Sequence, residues 1–259
     1  DLSSRQPGRR FGFDDLEHGN LMAVAWSRAS TSIAAAGSGF SPPGTVMRLK
    51  RIAWPGGQTT DVPIARDTVF DIAPLGANDF VLASGDGAWT LAPAAGEGFA
   101  VRAAWSDLRG ASRLRVSADA RTVAFGGAGG ETPMRLNVAR RTLEDEGAEL
   151  AAPRASSWSL SVRDWEDHFR PVVAGQSVVL EPAEVSRASA IAPDSAAVYL
   201  GTTRSLRRFD RQGGQQWTVR TAAEVRAVNV SADGRLLVTA MGDGTLAWWR
   251  AQDGRALMQ

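Results

Sequence analysis

The chain has 259 residues, with 29 Lys+Arg against 28 Asp+Glu, 44% hydrophobic residues, 27 Gly, 12 Pro and no Cys. That is a globular composition, neither disordered nor fibrous, and a net charge of +1 gives no field to draw nucleic acid or an anionic membrane as the main partner. The lack of Cys removes disulfides, thiolate nucleophiles, Cys–zinc sites and iron–sulfur clusters, and a chain with two histidines, His18 and His168, builds no His-rich metal centre.

The same lack of Cys fits a reducing, cytoplasmic compartment. Lys50 is the sole lysine, and no Gly-Lys-Ser/Thr tripeptide occurs, so a Walker-type phosphate loop is absent. No apolar run approaches the ~18 residues of a membrane span, and no signal-peptide pattern opens the chain. The first residue is Asp1 rather than Met, as expected of a processed product or a piece of a longer protein.

In chain order, short apolar runs bounded by Gly, Pro, Asp, Asn and Ser read as strands at 21–26, 69–73, 121–125, 197–200, 225–230 and 236–240. Helical periodicity is poor. Residues 142–152 allow at most a short helix, because Gly147 falls in its middle and Pro153 ends it. Further strands are expected at 158–165 and 176–180. The chain therefore reads as all-β.

One unit recurs: a strand, a small residue, a polar turn, a second strand, a Gly-rich turn, and a third strand ending in a large apolar residue. The clearest copy is Val225-Arg-Ala-Val-Asn-Val-Ser-Ala-Asp-Gly-Arg-Leu-Leu-Val-Thr-Ala-Met-Gly-Asp-Gly-Thr-Leu-Ala-Trp-Trp249. The small residues Ser27, Ala73, Ser117, Ala192 and Ser231 stand 46, 44, 75 and 39 residues apart. A period of ~40–45 residues is that of four-stranded propeller blades. The expected fold is a β-propeller of four-stranded antiparallel blades, five or six of them visible, a closed ring or part of a seven-bladed one. Residues 1–19 are a lead-in or the outer strand of a preceding blade. The units fall at about 20–64, 65–105, 109–148, 150–186 (degenerate or an insertion), 187–220 and 224–259. Trp89, Phe209 and Trp248 or Trp249 are expected to fill the space between blades.

Ser-Ala-Asp-Gly at 231–234, Ala-Pro-Asp-Ser at 192–195, Gly-Asp-Gly-Thr-Leu-Ala-Trp-Trp at 242–249 and Phe209-Asp210 resemble the WD-repeat family. The likeness covers roughly residues 20–258. No Gly-His precedes a first strand and no Trp-Asp closes a third, so that family's His-Ser-Trp-Asp tetrad is not expected. Asp14-Asp15-Leu16, Gly19-Asn20-Leu21, Ala25-Trp26-Ser27, and the stretches 201–210 and 227–249 also resemble propellers of large bacterial proteins joined to caspase-like peptidase domains. Such a peptidase needs a Cys–His pair, which the resemblance places outside this chain.

Catalytic constellations are sparse. Asp164-Trp165-Glu166-Asp167-His168 could be a metal or acid–base site, or a solvated turn. No Gly-x-Ser-x-Gly elbow supports a hydrolase triad, and the Gly-Asp-Gly turns at Asp86 and Asp243 lack calcium-loop spacing. Asn229-Val-Ser231 fits a glycosylation sequon but lies in an expected inner strand. The pairs Arg9-Arg10, Arg140-Arg141 and Arg207-Arg208 read as solvated. What remains is the ring of loops leading into first strands and joining second to third strands: Arg66, Asp67, Arg109, Arg187, Glu224 and Arg226, with Asp86, Arg204 and Asp243. Arginines there would suit an acidic peptide. The expectation is a non-catalytic scaffold or sensor module of a larger bacterial protein. It binds a protein, a peptide or a neighbouring domain, and uses no nucleic acid, membrane, metal or cofactor. The alternative is a propeller hydrolase or lyase with a polar or metal site in the central channel.

Overall fold

The computed structural model describes residues 20–38, 47–65, 67–85, 88–92, 99–102, 114–116, 121–125, 134–140, 142–144 and 162–258. Among them there is no helix. In chain order come β1 (Asn20–Trp26), β2 (Ser32–Ser38), β3 (Met47–Ala53), β4 (Thr59–Ala65), β5 (Val69–Pro74), β6 (Phe80–Ser84), β7 (Ala88–Ala92) and β8 (Phe99–Arg102). Next are β9 (Arg115–Val116), β10 (Thr122–Phe125), β11 (Met134–Asn137), β12 (Thr142–Glu144), β13 (Val162–Arg163), β14 (Val172–Val173) and β15 (Gln176–Ser177). The last eight are β16 (Ser186–Ile191), β17 (Ala197–Thr202), β18 (Ser205–Asp210), β19 (Gln215–Arg220), β20 (Val225–Val230), β21 (Leu236–Met241), β22 (Leu246–Arg250) and β23 (Ala256–Met258).

These strands form small antiparallel sheets in sequence order: β1-β2-β3-β4, β5-β6-β7-β8, β9-β10-β11-β12, β13-β14-β15, β16-β17-β18-β19 and β20-β21-β22-β23. Two expectations change. Thr142–Glu144 is strand rather than the start of a helix, and pairs with β11 through Leu143 opposite Leu136. The run 176–180 pairs only at Gln176 and Ser177; past them Val178 donates to the Pro171 carbonyl and Val179 turns outward, 76% exposed.

The turn that carries the small marker residue recurs. Ser27, Ala192 and Ser231 each donate to the residue five positions on, at 2.9 Å, and each accepts from the residue three positions on. That third residue has positive φ in all three: Ser30 at 55°, Ser195 at 55° and Gly234 at 72°. Ser27 and Ser231 add a hydroxyl that accepts the Ser32 and Leu236 amides at 3.1 and 3.0 Å, the local bonding that favours Ser in turns. A bulge also recurs near the start of the first strand, at Val69/Asp71, Ser186/Ala188 and Val225/Ala227.

The chain divides into two compact units. In the one holding residues 20–26 and 156–259, the middle strands β17 and β21 are buried along their whole length, which is why they read as unbroken apolar runs. Sheet β16–β19 is covered on both sides. One side packs Val198, Leu200 and Phe209 on Val173, Val178 and Leu180 of the short sheet and the segment after it. The other packs Tyr199 and Leu206 with Val225, Leu237, Met241 and Trp249 of the following sheet. β1 lies against β20, and the Trp26 amide donates to Asn229 Oδ1 at 3.0 Å. The sequon asparagine is thus half-buried and bonded.

The other unit holds residues 27–155. Ala73, Leu75, Val81 and Ala83 pack on Val116, Val123 and Leu136 of the next sheet. Toward the preceding strands, Arg51 sits over the Phe80 ring at 5.4 Å and donates to the Ala92 carbonyl. Lys50 is buried, and its ammonium meets Asp61 at 2.9 Å.

Gly201 permits the approach of β17 to β20, since a Cβ there would lie 2.5 Å from Val225 Cγ1. Gly175 turns the β14–β15 hairpin at φ 80° with open space around it. Gly201→Ala is expected to cost about 1–3 kcal/mol by overpacking. Gly175→Ala should cost about 1 kcal/mol, from backbone strain alone. Urea unfolding of the two variants checks the order.

Candidate functional site

A bond that recurs in three sheets positions the nominated loops. The first residue after the second strand donates its amide to the carbonyl of the residue leading into the first strand. Gly85 donates to Thr68 at 2.9 Å, Thr203 to Val185 at 2.9 Å and Gly242 to Glu224 at 2.8 Å. Each bond ties the turn between second and third strands to the lead-in of the first. Asp67, Arg187, Arg204, Glu224, Arg226 and Asp243 all lie within two residues of such a bond. Arg66, Asp86 and Arg109 lie outside the described residues.

Some of these side chains serve the loops themselves. Asp67 Oδ1 accepts the Thr68 amide at 2.6 Å, and Asp243 Oδ1 accepts the Thr245 amide at 3.1 Å and its hydroxyl at 2.7 Å. Exposed Arg204 donates to the Pro182 carbonyl at 3.3 Å. Others meet one another. Arg187 Nη1 donates to Asp167 Oδ1, Arg187 Nε stands 3.7 Å from Glu224 Oε1, and Arg226 Nε contacts the same oxygen. Asp167 comes from the acidic run before β14. Next to it in that run, the His168 carbonyl accepts the Ser186 amide and hydroxyl at 3.0 and 2.9 Å, and Trp165 packs against the cluster of Val173 and Phe209. Among the described residues no three His, Asp or Glu side chains gather as a metal site.

Behind these loops is a polar cluster that sequence reasoning missed. Glu184 is 1% exposed. Its Oε1 accepts the Thr202 and Ser205 hydroxyls at 2.5 Å each, and its Oε2 accepts Arg207 Nη2 at 2.5 Å and the Glu181 amide at 2.9 Å. Arg207, 7% exposed, also donates Nε to Ser205 Oγ at 3.0 Å and Nη1 to Gln215 at 3.2 Å. Arg207 is therefore not solvated, and Arg208 beside it is half-buried. The available signal was strand phase: Ser205, Arg207 and Phe209 share one side of β18, and an arginine on the side of a buried aromatic requires an internal acceptor.

Burial pushes the Glu184 carboxyl up. The hydrogen bonds from Ser205, Thr202 and the Glu181 amide, with the Arg207 charge, outweigh it and hold the group below its ordinary value. Sheet β20–β23 has Met241 and Ala247 at the register positions of Thr202 and Arg207, so that hydroxyl and that guanidinium have no counterpart there. That sheet also contains Trp249 Nε1 donating to Thr239 Oγ1 at 2.9 Å, a tryptophan–hydroxyl bond that the missing Trp-Asp ending gave no reason to expect.

The chain matches no protein-family model and no curated protein.

Glu184→Gln is expected to destabilise the protein by about 3 kcal/mol, because Arg207 is left buried without its counter-charge. Glu184→Leu combined with Arg207→Met should recover at least half of that loss, which a double-mutant cycle in urea measures. With its folded value depressed, Glu184 contributes stability that is complete above the unfolded value of ~4.3 and is lost as pH falls below it. Urea midpoints followed from about pH 6 to about pH 3 should therefore fall less steeply for the double variant than for the wild type.

Proposed function

We propose that the chain is a WD-repeat-like β-propeller region acting as a non-catalytic protein–protein interaction scaffold, or as the sensor or regulatory module of a larger bacterial protein. The observation that carries this reading is the recurring bond of Gly85 to Thr68, Thr203 to Val185 and Gly242 to Glu224. In these three sheets it gathers two loops at one end and sets a polar tip on a recurring frame. Binding surfaces are commonly built this way, with loops supplying contacts and the scaffold supplying rigidity.

The propeller reading is supported by the sheets following one another in sequence order. It is supported too by the face-to-face packing of successive sheets inside each unit, as blades lean on their neighbours. The six sheets supply five or six blades, of a closed ring or of part of a seven-bladed one. The partner is a protein, a peptide or an adjoining domain.

Affinity capture with the purified chain as bait, followed by calorimetric titration of each captured protein, should yield a saturable protein or peptide ligand. Arg204→Glu is expected to weaken that ligand at least about threefold, chiefly through the association rate, with the urea midpoint unchanged. No protein ligand, together with turnover of a small molecule by the pure chain, would overturn the reading.

A further inference from the structure

Where β16 and the lead-in to β20 meet, the ion cluster of Arg187, Glu224 and Arg226 is poorly satisfied. Arg187 Nε, Glu224 Oε1 and Arg226 Nε are closed to solvent and none has a well-formed hydrogen bond, although charged contacts join them. Buried polar atoms are rarely left so, and three in one place call for an explanation. We propose that Arg187 and Arg226 form a recognition pair for a carboxylate-rich segment of a partner protein, and that Asp167 occupies Arg187 while the partner is away. The proposal rests on the partner-binding reading above and gives it a ligand chemistry.

The cluster favours an acid over a base. Each guanidinium carries five N–H donors in a planar fork suited to carboxylates. Among the described residues, Arg226 meets one acceptor, Glu224. Arg187 makes one hydrogen bond, to Asp167, and its second acidic neighbour stands 3.7 Å away. Donor capacity therefore exceeds what the two resident carboxylates consume.

Asp167 is the replaceable member. Its side chain is 65% exposed, whereas that of Glu224 is 20% exposed. The backbone of its loop is fixed independently, by the Asp167 amide to the Ser186 carbonyl at 2.9 Å. A rotamer change of one side chain thus frees Arg187 without unmaking the loop, and an exposed pair of this kind contributes little to stability. The remaining guanidinium surface can be approached: the Arg187 and Arg226 side chains are 29% and 37% exposed.

The test is fluorescence anisotropy of a labelled oligoglutamate peptide with the full chain, against an oligolysine control. The glutamate peptide should bind, and binding should weaken with salt. Asp167→Asn removes the competing charge, and Asn tolerates the φ of 55° at this position. It should tighten binding about two- to fivefold, the size of a released surface ion pair. Glu224→Gln should also tighten it. Arg187→Gln with Arg226→Gln should weaken it at least about tenfold. If the double variant fails to fold by urea titration, the Asp167→Asn and Glu224→Gln results decide. Oligoglutamate that binds neither wild type nor Asp167→Asn at low salt, unchanged or weaker affinity in Asp167→Asn, or full affinity in a folded double variant each overturn the proposal. A captured protein whose affinity ignores both arginines sinks this site and leaves the scaffold reading standing. Oligoglutamate binding with no protein ligand does the reverse.

Discussion

A thin sheet whose middle strand is oily on both sides has to be covered twice. β17 and β21 are buried end to end, while the outer strand β19 is largely exposed. Neither sheet could shield its second strand alone, and the apolar area at stake is the main favourable term in folding. The need for two neighbours accounts for sheets such as β16–β19 with one apolar cluster on each side. Loops leading into the first strand and joining the second to the third then fall at one end of each sheet as a by-product of the hairpin order.

The frame tolerates one large departure. Between β16–β19 and the short sheet before it, part of the apolar layer is replaced by Glu184, Thr202, Ser205 and Arg207. Removing two charges from water is costly, and the cluster offsets that cost by satisfying the carboxylate with four donors. Burial there fixes two loops against each other, because Glu184 bonds both its own lead-in through Glu181 and the hairpin that carries Arg204. The tip that carries Arg204 is therefore held from beneath by a polar tie rather than by packing alone.

How far the sequence could be read depended on how local each feature is. The strands and the turns after Ser27, Ala192 and Ser231 are set by residues a few positions apart, so spacing and residue type were enough. The Asp-Gly pairs at 233–234 and 243–244 likewise end in glycines with φ of 72° and 83°. Contacts between distant residues were harder. Arg207 looked like half of a surface pair because its acceptor lies 23 positions back. The run from Asp164 to His168 left a chemical site and a solvated turn both open in the sequence; in the structure its acidic side chains are exposed, Asp167 meets Arg187 and the His168 carbonyl takes Ser186. The strand expected at 176–180 ends early for a similar reason: Val178 and Leu180 are apolar because they face Phe209, not because they pair in a ladder.

The sequestered ammonium of Lys50 has an effect on the chemistry open to this protein. The chain has no other lysine, and this one is folded in against Asp61. Acylating reagents, amine-directed tethers and enzymes that conjugate groups to lysine side chains would find no free nucleophile of that type until the first repeat opened. Labelling at that nitrogen would thus report local unfolding instead of surface topography.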